Sequence, residues 1–126
     1  IPGRYMHLTT PRTWFMRGEV MQIPASVTPW VRFPLFWLSL HLLPQRLYHW
    51  MTRRVLRHDG YLVTYFHPWE FYDLNAHREY KMPYIIRKNS GDKMVQRLSN
   101  LIKMLKKEEE AYVTFTEFAK SKLNKA

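Results

Sequence analysis

An α/β architecture, with about three parallel strands alternating with helices, is what this sequence predicts, and three observations predict it. The run Tyr61-Leu-Val-Thr-Tyr-Phe66 is apolar and unbroken, as in a strand covered on both faces. Two stretches repeat apolar residues at the helical period: Leu47, Tyr48, Met51 and Val55, then Met94, Leu98, Leu101, Ile102 and Leu105. Two shorter runs, Val20-Met-Gln-Ile23 and the β-branched and aromatic Ala111-Tyr-Val-Thr-Phe115, read as further strands. A strand, helix, strand, helix, strand, helix order implies parallel pairing through right-handed crossovers.

In chain order, residues 1–17 contain Pro2, Gly3 and Pro11 without a clear period and form an irregular lead-in with a short extended piece. Pro24 closes the first strand, and Pro29 and Pro34 make the segment between them a loop. Pro34 suits the first turn of a short apolar helix over residues 35–43, where its missing N–H costs nothing. Pro44 breaks that helix and opens a second, which Asp59-Gly60 ends. Pro68 stops the central strand because it has no N–H to donate. Residues 71–89 form a long mixed connection suited to packing over the strand ends. Ser90 is placed to cap the next helix, with Asp92 near its N-terminus. A last helix over residues 117–123 starts from Thr116, or from Thr114 with Glu117 three residues on.

The 126 residues are one domain's worth, or a fragment of a domain. The chain opens on Ile1 and not on Met, which points to a piece of something longer. Three strands make a small sheet with exposed edges, so partner strands are expected from further sequence or from a second copy in a homo-oligomer. The absence of cysteine removes disulfides, thiol catalysis and cysteine-ligated zinc, and leaves the compartment unassigned between cytoplasm and cell envelope. The most apolar stretch, residues 33–43, carries Ser39 and His41 and falls short of the ~20 residues a membrane-spanning helix needs. A net charge of +10 invites a polyanion. Its arginines and lysines, however, sit at helical spacing opposite apolar stripes, and no nucleic-acid motif accompanies them.

Chemistry is expected where the central strand ends, in His67-Pro-Trp-Glu70, because ligand clefts of α/β folds lie at the carboxyl ends of strands. His67 is the leading functional residue, against the plainer reading of a hydrogen-bonded structural histidine. Glu70 is an acid or base, or else a surface charge, and Trp69 is a stacking platform, or else core. Arg87 is a candidate for orienting a carboxylate or substrate, or a surface arginine.

These segments, together with Arg87-Lys-Asn-Ser-Gly-Asp-Lys-Met94 and the helix that follows, resemble the C-terminal part of a polysaccharide deacetylase of the branch that carries His-Pro-Trp-Glu. The resemblance implies an irregular (β/α) barrel and a metal-dependent amidohydrolase that removes N-acetyl or related groups from amino-sugar polymers. A divalent metal, commonly zinc, is implied for the whole enzyme, and none for this chain, because the family's Asp-Asp and His-x-x-x-His motifs have no counterpart here. By the same resemblance His67 is the late general acid, Trp69 and Glu70 are cleft neighbours, and Tyr65 stands where relatives place an acyl-pocket leucine. The chain alone is then expected to be inactive. A second expectation is a non-catalytic carbohydrate-binding or scaffold module displaying Trp14, Trp30 and Trp69. A third is capture of an anionic polymer by the basic faces of residues 46–57 and 93–107.

Overall fold

Three helices, α1 (Trp37–Leu42), α2 (Gln45–Asp59) and α4 (Asp92–Lys107), bury their apolar stripes against one another, and the rest of the chain is arranged around them in a computed structural model that describes residues 10–124. Leu35, Leu40, Tyr48, Val55, Met94 and Leu101 are almost wholly inaccessible to solvent. Each such side chain contributes roughly 1.5–3 kcal/mol over leaving it in water. Before these helices comes a hairpin of β1 (Phe15–Arg17) and β2 (Val20–Gln22). A short helix, α3 (Tyr84–Arg87), precedes α4, and α5 (Phe115–Leu123) ends the described chain. The first nine residues of the expected lead-in lie outside the described residues.

The helix stops follow local chemistry. The α1 turn is closed by Ser39, whose Oγ accepts from the Phe36 N–H and donates to the Phe36 carbonyl, both at 2.9 Å. Pro34 does not begin this helix as expected; it forms an isolated antiparallel bridge with Val27, and the helix starts three residues later. Gly60 ends α2 at φ 80°, its N–H reaching the Leu56 carbonyl at 2.9 Å. Gly91, at φ 76°, precedes α4 in place of the expected Ser90 cap. The Ser90 hydroxyl instead accepts from the Leu74 N–H and donates to the Arg87 carbonyl. Thr114 and Glu117 form the expected reciprocal cap of α5, which begins two residues earlier than the spacing suggested.

Polar clamps tie these elements together. Arg97 reaches from α4 to the Leu40 and Leu43 carbonyls at 3.0 and 2.7 Å, satisfying the C-terminal end of α1. The sequence placed Arg97 on a solvated face; its role here is to cap a neighbouring helix. Asn89 donates its side-chain amide to the His41 carbonyl at 2.6 Å and its N–H to His41 Nε2 at 3.3 Å. Arg12 donates to both carboxylate oxygens of Asp59 and to the Val27 carbonyl, pinning the lead-in to the end of α2.

The strands depart from the expected pattern. Val20 to Gln22 does form a strand, but it pairs antiparallel with β1, Met16 opposite Met21. Residues 61–66 follow the alternation of extended chain: Leu62 and Phe66 pack on the helical core, while Tyr61, Tyr65 and His67 face Trp14, Phe36 and Trp37. No ladder forms along them among the described residues; their backbone link is the Ser26 N–H to the Val63 carbonyl at 2.8 Å, which the Val63 N–H to Ser26 Oγ bond accompanies. Residues 111–114 are exposed and likewise outside any ladder. The physical reason is that a strand, unlike a helix, completes its hydrogen bonds only with neighbours.

Candidate functional site

The sequence His67-Pro-Trp-Glu70 folds into a single tight turn for local reasons. Pro68 has its φ already set for a first turn position. Glu70, three residues after His67, returns its carboxylate to the His67 backbone N–H, as the glutamate of a capping box does. The same Oε2 lies 3.1 Å from His67 Nδ1. With Nδ1–H donating to this carboxylate, Nε2 is the nitrogen left to face outward.

The two partners sit in different surroundings. Glu70 is 0% exposed, whereas the His67 side chain keeps 40% of its surface open. Burial pushes the Glu70 carboxyl above its usual range, while the His67 N–H and ring pull it back down. Its Oε1 has no hydrogen-bond partner among the described residues. A buried carboxylate behind a half-exposed imidazole fixes the orientation of the ring, an arrangement suited to proton transfer at Nε2.

Aromatic rings hold the imidazole from its other sides. Trp69 stacks on it at 5.4 Å with an interplanar angle of 17°. Trp37 and Tyr65 meet it edge-on at 5.5 and 5.8 Å. Trp69 is itself 36% exposed and braced by Trp37 at 5.1 Å, so it offers a flat surface beside His67. The turn is anchored below by the Gly91 N–H, which donates to the Glu70 carbonyl at 3.0 Å.

Of the residues singled out in the sequence, the structure brings together His67, Tyr65, Trp69 and Glu70. Glu70 is neither a surface charge nor an open cleft residue; it lies beneath the histidine. Arg87 stands apart. Its guanidinium donates to Asn75 Oδ1 at 3.0 Å and lies 5.1 Å from the Tyr84 ring, with no contact to His67 or Glu70 among the described residues. Trp37 was missed, because it sits inside an apolar helix that reads as core. The signal for the His67–Glu70 pair was present as the i, i+3 spacing around Pro68.

No group of three His, Cys, Asp or Glu side chains converges among the described residues. The divalent metal implied by the resemblance therefore finds no ligand set among the described residues. No described helix is long and apolar enough to cross a membrane. Two concavities lie elsewhere: a groove of about 440 Å³ along α4 beside Phe71, and a slot of about 510 Å³ between residues 60–64 and 110–115.

A family model spans almost all of this architecture, residues 5–119, hairpin, His67 turn and α4 included. The chain belongs to the family described as a domain of unknown function, DUF3473. No curated protein and no solved structure matches it. The DUF3473 match thus covers the whole His67 turn and every residue that packs on it.

Proposed function

We propose that this DUF3473 domain is the C-terminal part of a polysaccharide-deacetylase-like amidohydrolase, and that His67 is the acid that protonates the departing amine of an N-acylated amino sugar. The observation that carries this reading is the 3.1 Å contact between His67 Nδ1 and a fully buried Glu70 carboxylate. The amide C–N bond breaks only as its nitrogen gains a proton, and Nε2 of an imidazole so oriented is placed to give one. Glu70 offsets the positive charge while the ring carries it. Trp69 gives a sugar ring an apolar face on which to stack.

The fold supports the same reading. Residues 61–64 and 110–114 flank a slot without joining a ladder among the described residues, as strands do when their barrel neighbours lie in another part of the enzyme. Metal ligands are expected in that other part. The test is turnover of an N-acetylated amino-sugar oligomer by the full-length protein. His67→Ala should lower kcat by about 10²-fold or more with little change in substrate affinity, the usual scale for lost acid-base assistance. Unchanged turnover removes His67 from the mechanism.

A second reading, a carbohydrate-binding module without catalysis, draws on the exposed Trp69 beside Tyr72. Under it, neutral glycans bind His67→Ala as tightly as the native chain but lose affinity for Trp69→Ala, and no deacetylation accompanies binding.

A further inference from the structure

The outer face of α2 has a composition that solvation alone does not require. At 100° per residue, the side opposite the buried Tyr48, Met51, Thr52 and Val55 carries Arg46, Trp50, Arg53, Arg54 and Arg57. Trp50 is 55% exposed in the middle of these arginines, and Leu47 beside it is 42% exposed. The Arg54 guanidinium lies 5.4 Å from the Trp50 ring centre. Arg53 is paired with Glu108, whereas Arg46, Arg54 and Arg57 have no ion pair among the described residues. The acid of α2, Asp59, is turned inward to Arg12.

We infer that this face of α2 is a peripheral contact surface for an anionic lipid bilayer. Free guanidiniums form paired, fork-like hydrogen bonds with phosphate, and basic clusters are drawn to negatively charged leaflets. The tryptophan ring is amphipathic and settles at headgroup depth, where the flanking arginines keep their charges in the wet layer. Leu47 adds apolar surface at the same level. A soluble polyanion such as polyphosphate would use the arginines alone. Neither it nor a nucleic acid gains from Leu47, and Arg54 already lies over a face of the Trp50 ring on which a nucleic-acid base would stack. The site does not depend on the proposed catalytic role, and His67 takes no part in it.

Co-sedimentation of the full protein with vesicles of phosphatidylcholine, and of phosphatidylcholine with phosphatidylglycerol, tests the inference. The protein should pellet with the anionic vesicles, remain free of the neutral ones, and be released progressively by salt. Leu47→Ser with Trp50→Ser should weaken vesicle binding about tenfold or more, since buried apolar surface adds to the electrostatic attraction. The same variant should bind inorganic polyphosphate unchanged. Arg46→Glu, Arg54→Glu and Arg57→Glu together should abolish both. These positions are exposed, so melting temperature should stay near the native value. Failure of the native protein to bind anionic vesicles overturns the inference. So does equal vesicle binding by the Leu47/Trp50 variant, which would reduce the face to a counterion-driven polyanion site.

Discussion

The helical centre and the two extended segments are built from similar residues and reach opposite ends. Tyr48, Met51, Val55, Leu101 and Leu105 are closed inside α1, α2 and α4, while Tyr112 and Val113, equally apolar, stand open to solvent. Residues 61–66 fall between, half-buried on the core and joined to Ser26 but to no ladder. A helix satisfies its backbone within itself and needs a neighbour only for its apolar stripe. A strand needs neighbours for its backbone as well. The centre therefore closes on itself, while the extended segments leave backbone groups that only a neighbouring strand could pair.

The sharpest test of that contrast is truncation in the centre. Leu101→Ala should cost about 2–5 kcal/mol in chemical denaturation, because the cavity opens in a region that three helices hold rigid. A loss under 1 kcal/mol would mean the core is not tightly packed. Next comes the joint between centre and site. Gly91 is at φ 76°, and an added Cβ would stand 3.1 Å from Asp73 Cα, so Gly91→Ala should cost about 1–3 kcal/mol and disturb the turn that Gly91 anchors at Glu70. Turnover lost with stability kept would place that residue's role in positioning His67 alone.

A smaller effect is expected from acid. His41 is buried, and burial first, then Arg97 and Lys88, outweigh the opposing Ile85 backbone and hold its pKa below the usual 6.5. The unfolded chain then binds the proton more readily than the folded one. Stability should be retained above pH 6.5 and lost as pH falls below it, and His41→Gln should flatten that slope in melting curves. An unchanged slope would assign the acid sensitivity elsewhere. At the bottom of the scale, Val113→Ala in this chain should change stability by no more than about 0.5 kcal/mol. In a full-length protein whose strands pair here, the same change should cost clearly more, and equal values in both would remove the case for strands joining at this edge.

How much of this was legible in the sequence varies with the element. The boundaries of α2 followed from Pro44 and Gly60, and the cap of α5 from Thr114 and Glu117, because proline, glycine and capping side chains act on their own few residues. The spacing predicts an apolar stripe of Met94, Leu98, Leu101, Ile102 and Leu105 on α4; Met104 joins it and Ile102 turns outward, since which flank of a stripe is covered depends on the neighbour. Leu47 on α2 went the same way. For the strands, residue type gave the extended character of residues 61–66 but not their partners.

The same division holds at the site. By itself the sequence determined the His67 turn, since Pro68 and the three-residue spacing to Glu70 act within one loop of chain, and it determined where α2 starts and stops. Tertiary structure alone decided that Glu70 would be sealed beneath the imidazole, that Trp37 would brace Trp69, and that Arg87 would join Asn75 and Tyr84 instead of the histidine. Burial and ring contacts are properties of what folds over a residue from far along the chain, and local rules do not carry that information.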